Sequence, residues 1–327
     1  MSQAINRSRL TAAQDPNAVL TAVLGPKFAA YRRAFSRAEA GERPPAPLHL
    51  DIDVTTACNF HCPMCPAGSA RHIFPGFRKG LFLDRRLYRK ALAEASSFNL
   101  PSLRLGLTGE PLLAPDIAAW VREAKEAGVL DISLITNGRL LSPELSRQLI
   151  EAGLTRLMIS VDAGGPETYA RVRPGGDWNI LLRNIRGFLE ARREAASSLP
   201  LLRISFVEMS VNQGDRAGFE KTFGPLADYL SFQRYHNILG SEDTDFSLET
   251  AAPAGGFCAE PFTRLAVHAD GGLFPCCSDF GRLKPLGNLA GGGLLATWRS
   301  GEAIFLTGPQ AGRQDPCRAC LGGRPHK

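Results

Sequence analysis

From residue 48 onward, short apolar runs alternate with longer segments whose apolar positions recur three and four residues apart. The runs read as strands and the spaced segments as amphipathic helices. LHLDIDV (48–54) is a strand leading into a loop, and DRRLYRKALAEASSF (84–98) is a helix with Asp84 at its N-cap. Strand SLRLGL (102–107), helix APDIAAWVREAKEAG (114–128) and strand LDISLIT (130–136) follow. Helix SPELSRQLIEAG (142–153) has Ser142 at its N-cap, Pro143 in its first turn and Gly153 at its end. Strand RLMISV (156–161) precedes helix DWNILLRNIRGFLEARRE (177–194), in which Trp178, Leu181, Leu182, Ile185, Phe188 and Leu189 share the face turned to the sheet. Strand LLRISFVEM (201–209), a helix near 215–228 and strand YLSFQRY (229–235) complete six βα-like repeats.

Strands separated by helices of this length imply parallel pairing through right-handed crossovers. The expected class is α/β, a partial (β/α)6 TIM-like barrel with its functional residues at strand C-termini. An open doubly wound sheet is the alternative. After about 240 the Gly and Pro content rises, helical spacing fades and five of the eight cysteines appear, so 241–327 reads as a small Cys-rich domain behind a barrel of 48–240. Residues 1–47 read as a helical extension, with Pro44, Pro45 and Pro47 stiffening the approach to the barrel.

Composition adds limits. With 327 residues, 44% hydrophobic and 21% charged, the chain has an ordinary globular composition. No run approaches the ~20 apolar residues that span a bilayer, and MSQAINRSRL lacks a signal peptide's apolar core. The expected compartment is the cytoplasm, with no membrane partner. There, eight cysteines read as metal ligands or catalytic thiols rather than disulfides. The net charge of +6 comes without a basic run interleaved with aromatics, so no nucleic-acid partner is expected.

Cys58-Asn-Phe-His-Cys62-Pro-Met-Cys65 places three thiols directly after the first strand. Three thiolates on a tight loop can hold three irons of a 4Fe–4S cluster and leave the fourth open to a small molecule. Structural zinc needs four protein ligands, and His61, wedged between two of the cysteines, is strained as the fourth. A disulfide leaves one thiol over. Spacing and position favour the open cluster.

CX3CX2C in that loop of a six-unit α/β pattern resembles the radical S-adenosylmethionine (SAM) superfamily. The resemblance implies that the open iron chelates the amino and carboxylate groups of SAM. One-electron reduction, from a partner such as flavodoxin or ferredoxin, then gives methionine and a 5′-deoxyadenosyl radical that abstracts a substrate hydrogen. Met64 stands where many members have an aromatic, and implies packing near the adenine. Thr108-Gly109-Glu110-Pro111 resembles the motif that binds the SAM amino group: Gly109 allows close backbone approach and Glu110 can pair with an ammonium. Asn137, Ser160 and Asp162, each at the end of a strand, resemble polar contacts to the methionyl and ribose parts. Arg173 matches an arginine that pairs with the SAM carboxylate. Glu208, near the end of the fifth strand, is a candidate pocket residue.

The tail holds Cys258, then Gly271 and Cys276 as C-X12-G-X4-C, and Cys317 and Cys320 as CX2C. Spacing alone leaves a zinc ribbon and an iron–sulfur cluster both open. Together with Gly272–Cys277 and Leu286-Gly287-Asn288, the tail resembles the SPASM/twitch class of auxiliary-cluster domains. The resemblance implies one auxiliary 4Fe–4S cluster on Cys258, Cys276, Cys317 and Cys320, in a small iron–sulfur domain after the barrel. Cys277 is left over as a buried thiol, a swapped ligand or a catalytic hydrogen-atom donor.

The leading functional expectation is dehydrogenation of a sugar- or aminocyclitol-like intermediate, the electron left after hydrogen abstraction passing to the auxiliary cluster. Alternatives are a radical epimerase using Cys277, a peptide-modifying maturase acting on a peptide instead of a small-molecule substrate, and a non-enzymatic metal-binding scaffold.

Overall fold

The computed structural model describes residues 9–65, 77–235, 237, 245–248, 258–279 and 284–300. Six parallel strands stand side by side in chain order: β2 (His49–Ile52), β3 (Ser102–Leu105), β4 (Asp131–Thr136), β5 (Arg156–Ser160), β6 (Leu201–Glu208) and β7 (Tyr229–Arg234). Between them run α3 (Arg85–Ser97), α4 (Ile117–Glu126), α5 (Pro143–Glu151), α6 (Pro166–Val172), α7 (Trp178–Glu194) and α8 (Arg216–Phe223). This is the partial (β/α)6 TIM-like barrel that the periodicity predicts.

Each strand divides its side chains between two environments. Leu50, Ile52, Leu103, Leu105, Leu134, Leu157, Ile159 and Ile204 are fully buried with the apolar faces of the helices. Each contributes roughly 1.5–3 kcal/mol of burial. Their neighbours point into the concave side and are polar: Asp51, Arg104, Ser133, Arg156, Ser160 and Arg203 among them.

Local signals set the helix ends. Asp84 accepts from Arg86 N at 2.8 Å, Ser142 from Leu145 N at 3.1 Å and Asp177 from Ile180 N at 2.9 Å, each satisfying an orphan donor of a first turn. The helix expected at 114–128 starts only at Ile117, because Asp116 takes left-handed backbone (φ 51°) after the 3-10 turn Pro111–Leu113.

The sheet extends beyond the repeats at both edges. β1 (Arg9–Ala12) pairs antiparallel with β7, so the N-terminal extension carries a strand as well as α1 (Pro16–Leu24) and α2 (Pro26–Glu39). Leu20, Phe28 and Tyr31 of these helices pack on Leu201 and Tyr229, at the N-terminal ends of β6 and β7. Asn17 accepts from Arg156 at 3.2 Å, so the extension closes the floor of the concave space. At the other edge β8 (Arg264–Val267) lies parallel to β2, followed by antiparallel β9 (Gly272–Phe274) and β10 (Gly287–Asn288). The tail also contains α9 (Glu260–Thr263) and α10 (Leu294–Ser300), each too short to show a helical period. No helix among the described residues is long and apolar enough to cross a membrane.

Candidate active site

The loop after β2 is held from several sides. Thr55 Oγ1 donates to Leu81 O at 2.7 Å, and Thr56 Oγ1 to Arg78 O at 2.7 Å. Buried Asp53 accepts from Thr108 N at 3.1 Å and Thr108 Oγ1 at 2.7 Å. This clamps the TGEP turn beside the loop, and Glu110 N donates to Ala57 O at 2.8 Å. A Cβ on Gly109 would stand 2.3 Å from Thr55 O and 2.4 Å from Ala57 O, so glycine is required by the closeness of the two backbones. On the opposite side His61 N donates to Pro174 O at 3.0 Å, and Gly175, at φ 97°, leaves no room for a Cβ beside Asn59 O.

Within this clamp Cys62 is buried and Cys58 and Cys65 are half-buried, all as free thiols. Burial pushes the Cys62 thiol up to about 11 against the opposing charge of Arg173, and burial likewise raises Cys58. Such thiols release protons only when a metal takes their place. No three His, Cys, Asp or Glu side chains among the described residues converge tightly enough to hold a single ion, and the His61 side chain is exposed. Three thiolates that each take a different iron suit a cubane, whereas a structural zinc needs four protein ligands.

The remaining expected residues surround the same loop. Glu110 is buried and turns inward, accepting from Thr136 Oγ1 at 2.6 Å, Asn137 N at 2.8 Å and Leu112 N at 3.1 Å. Burial nevertheless lifts its carboxyl to about 6. Its side chain therefore orders the ends of β3 and β4, and is already engaged where an ammonium partner was expected. Asn137 donates to Asn59 Oδ1 at 2.7 Å, tying the end of β4 to the cysteine loop. Met64 is buried in the main apolar core, and Ser160 is half-buried opposite Ser205.

Asp162 is fully buried in left-handed backbone (φ 59°), accepting from Val207 N at 2.8 Å and ion-pairing with Arg173. Arg173 also donates to Cys62 Sγ at 3.8 Å, while its Nε is buried without a hydrogen-bond partner. Arg139 Nη1 is orphaned in the same way, and its charge reaches Tyr169, as does that of Arg173. Two unsatisfied guanidinium N–H groups beside the cysteine loop suit a carboxylate-bearing ligand such as the methionyl end of SAM. Glu208 pairs with Arg216 at 3.1 Å.

In the tail, burial raises Cys276 well above the usual thiol range, reinforced by Cys277, Glu260 and Cys258. These groups are therefore neighbours, consistent in donor type with an iron–sulfur cluster, while Cys317 and Cys320 lie outside the described residues. Cys277 turns toward the concave face: its thiol donates to Glu260 Oε2 at 4.0 Å and feels Asp51, Arg104 and Arg264.

Asp53, Asn59 and Tyr169 contribute without being a defining position of any motif of the sequence, whereas Thr136 stands in the strand-end triplet Thr136-Asn137-Gly138. Asp53 and Asn59 flank the cysteine motif closely enough that proximity alone could have flagged them.

Comparison with known proteins accords with this geometry. Residues 52–203 match the radical SAM superfamily and residues 258–321 match the SPASM iron–sulfur cluster-binding domain. A protein named GTP 3′,8-cyclase from Limosilactobacillus fermentum is 33% identical over 192 residues, 58% of this chain and 52% of its own length. An AdoMet-dependent heme synthase from Methanosarcina barkeri is 34% identical over 195 residues, 58% of this chain and 50% of its own. The chain thus spans about half the length of the curated relatives it matches. The solved structure of native anSMEcpe with bound AdoMet superposes with a TM-score of 0.62 at 17% identity, covering 85% of this chain and 89% of that one, which shows the shared fold.

Proposed function

We propose that this chain, a radical SAM protein with a C-terminal SPASM iron–sulfur domain, oxidises a carbinol carbon of a small-molecule substrate to a ketone. The observation that supports a SAM-binding cluster is the convergence of Cys58, Cys62 and Cys65 with Gly109, Asn137, Asp162 and Arg173 at one end of the sheet, and the choice of oxidation rests on the second cluster expected on the tail cysteines. When bound, SAM and the first cluster supply a hydrogen-abstracting radical, and the auxiliary cluster supplies an acceptor for the electron left on the substrate. The chain's own residues hold and shield these groups. The three thiols seat three irons, Gly109 lets the TGEP backbone close on the loop, and Arg173, fixed by Asp162, presents its free Nε to the methionyl carboxylate. Cys258 and Cys276, with Cys317 and Cys320, hold the auxiliary cluster. The reductant is a flavodoxin- or ferredoxin-like partner.

A second reading, epimerisation with Cys277 returning the hydrogen, draws support from the placement of that thiol among concave-face groups. Anaerobic reconstitution should yield ~8 Fe per chain and dithionite-dependent 5′-deoxyadenosine. About one zinc per chain, no iron and no SAM cleavage would end the enzyme reading. Solvent deuterium on the product carbon selects epimerisation; its absence with a two-electron-oxidised product selects dehydrogenation.

A further inference from the structure

The interior of the barrel is charged in a way that the cluster chemistry does not require. Apolar strand residues facing the helices are buried, whereas Arg104, Met158, Ser160, Arg203, Ser205 and Gln233 on the other face keep partial exposure. Solvent therefore reaches a space bounded by this face, below the level of the cysteine loop.

Its charged groups are unevenly matched. Asp51 serves Arg104 Nη2 at 2.7 Å, Arg264 Nη1 at 3.3 Å and His49 Nε2 at 3.0 Å, and Arg264 also pairs with Glu260 Oε2 at 2.7 Å. Burial alone would raise the Asp51 carboxyl, but these partners outweigh it and hold it far below the carboxylate range. Arg104 keeps its Nε buried with no hydrogen-bond partner. Arg203, held by Ser231 Oγ at 2.7 Å, is pushed below the usual guanidinium range by burial and by the charges of Arg104 and Arg156. Two guanidinium groups thus repel each other across a partly wet interior.

We infer that an acidic group of the substrate, a carboxylate or a phosphate, docks on Arg104 in the concave space next to Arg203. The inference rests on the proposed function only in taking this space as the substrate's. The Arg104 guanidinium, with Nη2 on Asp51 but its Nε unpartnered, matches such an anion through charge-assisted hydrogen bonds, strengthened where water is scarce. A cationic aminocyclitol is disfavoured by the same charges. Because Arg104 also faces the Cys277 thiol, the acidic end lies on the tail side of the space.

The test uses the reconstituted full chain with saturating SAM, anaerobically. Phenylglyoxal modification of individual arginines is followed by peptide mass analysis, with inorganic phosphate or succinate as probe. Arg104 should react, and one of the anions should slow its reaction several-fold while exposed Arg122 is unaffected. Protection by phosphate alone identifies a phosphoryl group, and protection by succinate alone a carboxylate. Equal rates with and without both anions, or an Arg104 that never reacts, overturn the inference. In equilibrium dialysis with the protecting anion, Arg104→Gln should weaken binding about tenfold or more and Arg104→Lys by less. Neither readout uses SAM turnover. A protein that binds the anion without cleaving SAM refutes the proposed function and leaves an anion site at Arg104 of another purpose; SAM cleavage without anion binding refutes only the inference.

Discussion

Arg173 donates to the sulfur of Cys62 across 3.8 Å. The same guanidinium neutralises Asp162, which is fully buried and also fixes Val207 N. One side chain therefore couples the cysteine loop to the ends of β5 and β6. Arg173→Ala leaves a buried carboxylate without its cation and should cost about 3–5 kcal/mol in urea unfolding. Arg173→Lys keeps a charge but not the planar fork, so iron content should persist while SAM affinity drops about tenfold. Unchanged affinity in the Lys variant would remove Arg173 from the SAM site.

Gly109→Ala forces a methyl group to within 2.3 Å of one carbonyl oxygen and 2.4 Å of another. The TGEP turn must retreat from the loop that carries Cys58. Iron per chain should fall by about half, from ~8 toward ~4, with far-UV circular dichroism preserved. Full iron loading in this variant would mean that the two backbones can separate without disturbing the cysteines.

Glu110 gives a pH signature. Its carboxyl titrates near 6 in the fold, raised mainly by burial, against an ordinary value of 4.5. The folded state therefore holds this proton more tightly than the unfolded state. The associated stability is complete below pH about 4.5 and is lost as pH rises through about 6, roughly 2 kcal/mol in all. Glu110→Gln cannot titrate, so the stability margin of the wild type over this variant should shrink across that window. A margin independent of pH would show that Glu110 titrates normally.

Cys276 and Cys277 should separate in metal analysis. Cys276→Ala should lose about four irons, whereas Cys277→Ala should keep ~8 and leave the Fe–S absorbance intact. Loss of iron from the Cys277 variant alone would exchange their roles.

The six repeats were legible because each strand is an apolar run and each helix repeats its buried face, as Leu181, Ile185 and Phe188 do in α7. Strands β1 and β8–β10 were not, since they lie outside the strand–helix alternation that marks even the four-residue β2 and β3, and pair onto an existing edge. Arg173 and Asp162 were marked only by the family resemblance. Their ion pair was not, because a left-handed residue at 162 and the end of α6 meet only after the strands align. Nor did the sequence reveal that Glu110 faces inward, a consequence of donors contributed by Thr136 and Asn137 across the sheet.

The pairing of β8 with β2 also has a consequence in time. Asp51 and Arg264 form an ion pair 213 positions apart along the chain. During synthesis, the strand that leads into the first cysteine loop keeps an open edge until the segment Arg264–Val267 has emerged. Such distant closure is slow, and it leaves backbone donors exposed in the interval. β2 is therefore expected to be enclosed only after β8 has been made. Limited proteolysis of stalled nascent chains, ending before or after residue 267, would follow that ordering directly.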